Sequence, residues 1–121
     1  MIEKGEFSFE RLEVYNKAIN FIKSIFNISD GFPVKLQYSL ADQLRRAALS
    51  IVNNIAEGSD KRSAKDKRKF YEYALDSARE CIPMLTVASS HALINANTES
   101  DLREECTVIC RMLRKLIISV H

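Results

Sequence analysis

A continuous line of polar side chains runs through an otherwise amphipathic segment, "QLRRAALSIVNNIAEGS", residues 43–59. The polar positions follow one another at spacings of three or four residues, which places them on one side of a helix. They lie beside the apolar face and not opposite it. Because a band that borders the core is partly buried, its polar groups need partners. The line consists of Gln43, Arg46, Ser50, Asn54 and Glu57, and Gly58 follows it.

We expect this line to form one half of a polar network between helices or between subunits. Arg46 can hold a carboxylate through the two donors of its guanidinium fork, but Glu57 lies too far along the same helix to supply that carboxylate. Glu80, which lies near Ser77 on the predicted third helix, is the better candidate. The alternative is that the polar line is a solvated flank of its own helix.

The second candidate site is the basic stretch "KRSAKDKRK", residues 61–69, which has six basic residues and one acid. It lies at the entrance of a predicted helix, where the helix dipole disfavours cations. Phosphate binding would account for that cost, because lysines, arginines and free backbone donors suit a polyanion. The alternative is a solvated loop that keeps the protein soluble. We call the following six residues the basic patch: Lys61, Arg62, Lys65, Lys67, Arg68 and Lys69.

The sequence contains little that indicates a catalytic or metal-binding site. Cys106 and Cys110 are four residues apart, but a zinc site needs further ligands, and the only histidines are His91 and His121. We therefore expect these cysteines to be buried and structural. No glycine-rich phosphate loop, nucleophile elbow or Glu-x-x-His pattern is present. The prediction is a protein that is not an enzyme, with no catalytic residues, no metal and no cofactor.

Bulk composition indicates one ordinary globular domain, residues 1–121, with 46% hydrophobic and 28% charged residues. The net charge of +2 does not by itself indicate a nucleic-acid binder. An odd cysteine count of three, without a recognisable targeting segment, predicts a reducing cytoplasm. No apolar run approaches the roughly 20 residues of a membrane span, so we expect no membrane association.

Four helical segments must position these residues, and the sequence predicts them at about 8–27, 35–57, 63–95 and 98–120. The chain has only 3 Gly and 2 Pro, which favours long helices. Short links favour antiparallel neighbours, so the predicted fold is all-α, an antiparallel up-down-up-down four-helix bundle. Gly58 is expected to end the second helix in the left-handed conformation.

Two adjacent apolar stripes cover the first predicted helix. One contains Leu12, Tyr15, Ile19, Ile22 and Phe26, and the other contains Val14, Ala18, Phe21 and Ile25. Such a broad apolar face either fits between two helices of the same bundle or turns one stripe to another subunit.

Three segments carry a family resemblance: "FP" at residues 32–33, "QLRRAALSIVNNIAEG" at 43–58 and "FYEYALDSARE" at 70–80. The chain resembles the four-helix bundle proteins encoded in intervening sequences of bacterial 23S ribosomal RNA genes, from Leu12 to about Leu116. The hallmark is the "NIAEG" run that ends at Gly58. The preceding glutamine-arginine-serine pattern and the downstream family pattern are matched here by Gln43, Arg46, Ser50, Phe70, Ala74, Ser77 and Glu80.

The resemblance implies a short antiparallel bundle that assembles into a ring-shaped homopentamer, and it implies no enzymatic activity. The family is also similar to accessory proteins of diversity-generating retroelements, which are thought to bind nucleic acid and a reverse transcriptase. Two functions therefore stay open. One is an oligomeric module that binds RNA or DNA, or acts as an adaptor for another protein, through the basic patch. The other is a purely structural or protein-interaction bundle.

Overall fold

A computed structural model describes residues 7–121, and the first six residues of the predicted domain lie outside that range. Within it the chain forms four α-helices and two short 3-10 turns, with no strand. The all-α prediction is confirmed. The helices are α1 (Glu13–Asp30), α2 (Leu40–Asp60), α3 (Ala64–Ser90) and α4 (Ala96–Ser119), and the turns are Ser8–Arg11 and Val34–Leu36.

Contacts near both ends of α3 and α4 show how this pair of helices runs. The Arg68 guanidinium, at the start of α3, donates to the carbonyl oxygen of Val120, just after α4, at 3.0 Å. At the other end of this pair, Arg103 of α4 donates to Thr86 Oγ1 of α3 at 3.2 Å. Each helix packs against its neighbours in sequence, and α4 returns to α1 to close the bundle. α3 and α4 are therefore antiparallel, and the full up-down-up-down order stays a prediction.

The core explains the two stripes of α1. The stripe with Val14, Ala18, Phe21 and Ile25 is buried in the bundle, and the stripe that begins at Leu12 is only half-buried. One chain therefore covers the first stripe completely and leaves part of the second accessible. The largest fully buried apolar side chains are Phe21, Ile25, Leu44, Ile51, Ile55, Leu85, Ile109 and Leu113.

Helix starts differ from the sequence prediction because two short 3-10 turns precede α1 and α2. The predicted first helix began near Ser8, but Leu12 is extended (φ −75°, ψ 127°) and separates the turn Ser8–Arg11 from α1. The predicted second helix began near residue 35, where the chain instead forms the turn Val34–Leu36. Ser39, with φ −123° and ψ −100°, interrupts the path before α2 begins.

Gly58 does not end α2 in the left-handed conformation, and that prediction is corrected. The helix continues through Gly58 to Asp60. A Cβ atom at Gly58 would lie 2.7 Å from Cε1 of Tyr71 and 3.2 Å from the carbonyl oxygen of Lys67. Glycine is therefore required because α3 approaches the backbone of α2 closely at this point.

The end of α3 also differs from the prediction, which extended that helix to residue 95. The amide of Leu93 donates to the carbonyl oxygen of Ala88 at 2.9 Å, and the amide of Ala92 donates to that of Ser89 at 3.0 Å. This is the hydrogen-bond pattern of a Schellman motif. It places Ala92 at φ 56°, a left-handed conformation that usually belongs to glycine.

Replacing Ala92 with Gly is expected to raise the free energy of unfolding by about 0.5–1 kcal/mol, because it removes the left-handed strain at the cost of some unfolded-state entropy. Urea unfolding followed by circular dichroism measures this change. Ala96→Gly is the matched control, because Ala96 is exposed in the first turn of α4 and should lose stability. A loss of stability in Ala92→Gly would contradict the strain argument.

Candidate functional site

The centre of the predicted polar line forms a network between α2 and α3. Ser77 Oγ of α3 donates to Ser50 Oγ of α2 at 2.8 Å. Asn54 Nδ2, one turn later on α2, donates to the Ser50 side chain at 3.0 Å and to the Ser50 carbonyl oxygen at 2.9 Å. Ser77 is buried, so its hydroxyl needs this partner. Three of the motif residues thus hold the two helices in register.

Arg46 and Glu80 line one shallow cleft of about 270 Å³ between α2 and α3, together with Gln43. They do not form the expected ion pair, however. Arg46 Nε donates to Asp42 Oδ2 at 2.9 Å, one turn earlier on the same helix, and 78% of the Arg46 side chain is exposed. Arg46 reaches the Asp42 carboxylate without crossing the cleft to α3. Within one chain, Asp42 and not Glu80 is therefore the partner of Arg46.

The end of the polar line is tied to the basic patch. Glu57 forms an ion pair with Lys61, which directly follows α2, and Lys61 Nζ lies 3.4 Å from Glu57 Oε2. Lys61 also lies over the ring of Phe70, with Nζ 4.9 Å from the ring centroid, and Lys69 Nζ lies 5.5 Å from the same centroid. These contacts hold the two lysines at the corner between α2 and α3.

Two members of the basic patch bind the C-terminal ends of helices. Lys67 Nζ donates to the carbonyl oxygen of Ser59 at 2.9 Å, at the end of α2. Arg68 does the same at the end of α4, through Val120. Helix C-termini carry unpaired carbonyl groups and a partial negative charge, so these cations stabilise them. The cost of placing cations at the start of α3 is thus offset at two neighbouring helix ends.

Three members of the basic patch are open to solvent, although one of them, Lys69, also contacts the Phe70 ring. Arg62, Lys65 and Lys69 are exposed, and none of them forms an ion pair within residues 7–121. The Ser63 side chain accepts a hydrogen bond from the amide of Asp66 at 3.1 Å. Ser63 is therefore the N-cap residue that fixes the start of α3. The structure therefore divides the patch into structural cations and solvent-facing ones.

Arg45 is a residue that the sequence interpretation missed. Its guanidinium donates to Ser29 Oγ at 3.1 Å, and to the backbone oxygen and Oε1 of Gln37 at 3.2 and 3.1 Å. Only 18% of the Arg45 side chain is exposed. The Gln37 amide in turn donates to the carbonyl oxygens of Ser29 and Phe32. Successive residues of an α-helix lie about 100° apart around the axis. Arg45 therefore falls outside the polar line that contains Arg46, and the spacing argument did not select it.

The three cysteines lie in the core, as predicted, and all are reduced thiols. Burial raises the pKa of Cys81 to about 12. The hydrogen bond with Cys110 and burial raise the pKa of Cys106, whose Sγ also donates to the carbonyl oxygen of Ala78 at 3.0 Å. For Cys110, the hydrogen bond with Cys106 lowers the pKa, and the positive charges of Arg114 and Arg79 lower it further.

No group of three or more His, Cys, Asp or Glu side chains within residues 7–121 is arranged to hold a metal ion. In the same range, no helix combines the length and apolar character needed to cross a membrane.

Comparison with known proteins places the chain in a family. The sequence pattern described as "23S rRNA-intervening sequence protein" matches residues 10–115. The chain belongs to this family. Ser50, Asn54, Gly58 and Ser77, which belong to the segments that carried the resemblance, lie at the contact between α2 and α3.

A solved structure supports the fold independently. It is a crystal structure of a protein of unknown function from the S23 ribosomal protein family of Bacteroides thetaiotaomicron VPI-5482. The TM-score is 0.81 at 22% sequence identity, over 88% of this chain and 96% of that one. The likeness shows the shared bundle. Among curated proteins, none matches this chain.

Proposed function

We propose that this protein is a non-catalytic oligomeric bundle that binds nucleic acid through the solvent-facing part of its basic patch. The observation that carries the proposal is the exposure of Arg62, Lys65 and Lys69 at one corner of the bundle without neutralising ion pairs. Such cations attract phosphates and release counterions when they bind them. The structural contacts of Lys67 and Arg68 keep this corner ordered.

Oligomerisation would strengthen this attraction. The proposed assembly is a homo-oligomer of five subunits, as the family resemblance suggests, and the half-buried stripe of α1 offers it apolar surface. Repeating the patch around a ring makes each further contact intramolecular, so modest binding per subunit adds up to useful avidity. The proposed location is the cytoplasm, where the three thiols stay reduced.

The test is the triple variant Arg62→Glu/Lys65→Glu/Lys69→Glu, which leaves the two structural cations in place. Fluorescence anisotropy with labelled RNA and DNA at two salt concentrations is expected to show binding by the wild type that weakens as salt rises. The variant is expected to lose at least about tenfold in affinity, because three phosphate contacts become repulsive. Light scattering and circular dichroism should show unchanged oligomer mass and helix content.

The matched control reverses three exposed lysines elsewhere, Lys17, Lys23 and Lys35, with the same change in net charge. It is expected to bind much as the wild type does. Absence of wild-type binding at low salt would reject the nucleic-acid function. Equal affinity of the wild type and the patch variant would reject the patch as its site.

A structural or protein-interaction bundle is the second candidate. It is favoured by large apolar side chains that no helix of the chain covers. Tyr38 and Val34, in the connection between α1 and α2, are 94% and 84% exposed, and Ile118 near the end of α4 is 76% exposed. Exposed apolar groups of this kind are typical of contact surfaces when they cluster. This function would replace the first if nucleic acid does not bind.

A further inference from the structure

Charge is distributed unevenly along α4. All of its acids, Glu99, Asp101, Glu104 and Glu105, precede Cys106, and the basic residues Arg111, Arg114 and Lys115 follow it without an acid up to Ser119. This order also complements the helix dipole, because cations near a helix C-terminus are stabilising. The second half of α4 is therefore a cationic surface that the basic patch does not include.

The fold brings this cationic half beside the basic patch. α3 and α4 are antiparallel, and the hydrogen bond from Arg68 to Val120 joins the start of α3 to the end of α4. Further along the seam between them, Arg79 of α3 and Arg114 of α4 act on the same buried thiol, Cys110. Both guanidinium groups are thus near enough to Cys110 to lower its pKa. Arg79 and Arg114, which are 35 residues apart in sequence, are brought near the same thiol only by folding.

We call Arg68, Arg79, Arg111 and Arg114 the arginine seam. Within residues 7–121 none of the four forms an ion pair with a carboxylate. Arg79, Arg111 and Arg114 are exposed, and Arg68 is half-buried. The acids on the same two helices include Glu72 and Asp76, which lie between Arg68 and Arg79 on α3, and Glu104 on α4. The four arginines therefore stand against at least three exposed acids.

The chemistry of the seam suits phosphate groups in a row. A guanidinium fork binds a phosphate through two parallel hydrogen bonds, which an ammonium group cannot do. Arg68 and Arg79 are separated by about 16 Å along α3, at 1.5 Å per residue, which is the length of a few nucleotides of backbone. Within residues 7–121 the large exposed aromatic side chains are Phe7, Tyr38 and Tyr73, and Tyr73 lies about 120° around α3 from Arg79. The seam therefore offers no platform for stacked bases.

We propose that the phosphodiester backbone of a nucleic acid lies along the α3–α4 seam, where the arginine seam holds it and the basic patch continues its path at Lys65. This inference rests on the proposed function and specifies its binding surface. It requires contacts to phosphates without contacts to bases. Single strands of different sequence, and strands that contain abasic sites, should therefore bind with similar affinity.

The test is the triple variant Arg79→Gln/Arg111→Gln/Arg114→Gln, with fluorescence anisotropy on labelled duplex DNA and single-stranded RNA. Loss of affinity of about tenfold or more is expected. The slope of log affinity against log salt should fall by about 2–3 on duplex DNA, since each phosphate contact contributes about 0.9. The matched control, Lys17→Gln/Lys23→Gln/Lys35→Gln, removes the same charge from other surfaces and should keep affinity and slope.

The outcomes separate this inference from the proposed function. If the wild type does not bind, the nucleic-acid function fails, and the seam with it. If the wild type binds and the seam variant keeps its affinity and slope, the seam inference alone is wrong. Equal losses in the seam variant and the control would mean that only net charge matters, which also overturns it. Strong dependence on base sequence would do the same.

Discussion

Replacing Arg45 with Leu is expected to lower the free energy of unfolding by about 2–4 kcal/mol, because it removes a charged donor from several largely buried hydrogen bonds at once. The Ser29 hydroxyl and the Gln37 side chain would lose the guanidinium that joins them. The Ser29 side chain is fully buried, so water cannot easily replace the lost partner. Urea unfolding monitored by circular dichroism measures the change.

The neighbouring residue provides the control. Arg46→Leu makes the same chemical change one position later, but Arg46 is mostly exposed and paired only with Asp42 on its own helix. Its expected cost is about 0.5 kcal/mol or less, as for other exposed ion pairs. Similar losses in the two variants would show that Arg45 is not a special link between α1, the loop and α2. A large loss of unfolding free energy in Arg46→Leu would instead indicate that Arg46 pairs with Glu80, for example across a subunit boundary.

Gly58→Ala is expected to lower the free energy of unfolding by about 1–3 kcal/mol, although alanine is the better helix former. The new methyl group would lie 2.7 Å from the Tyr71 ring. It would also lie 3.2 Å from the carbonyl oxygen of Lys67, which belongs to the backbone of α3. Tyr71 is 4% exposed and has little room to move. The helices must therefore separate. Thermal or urea unfolding measures the loss.

A double-mutant cycle tests the cause. In a Tyr71→Ala background the ring is absent, so Gly58→Ala should cost clearly less than it does in the wild type. If the cost is the same in the two backgrounds, the clash with Tyr71 is not its origin. If Gly58→Ala stabilises the wild type by about 1 kcal/mol, helix propensity dominates and the close approach is not limiting.

The candidate site was only partly predictable from sequence. Spacing along α2 placed Ser50 and Asn54 in one polar line, because helical periodicity determines which side chains share a face. Ser50 contacts Ser77 of α3, and Asn54 contacts Ser50. The same argument chose Glu80 as the partner of Arg46 and did not consider Asp42, which lies one turn earlier on the same helix and forms the ion pair. It also omitted Arg45, whose partners are Ser29 at the end of α1 and Gln37 in the connection between α1 and α2. The conformation of that connection depends on contacts and not on periodicity.

The amino-acid sequence by itself determined that this protein is an all-α bundle of four helices, because apolar periodicity, scarce glycine and proline, and short links are local properties. Its "NIAEG" motif also pointed to the family. Only the tertiary structure decided what Gly58 and the basic patch do. Gly58 is needed for the approach of α3, and Lys67 and Arg68 bind carbonyl groups at the ends of other helices. These roles depend on distances between segments far apart in the chain, and such distances are set by how the helices pack.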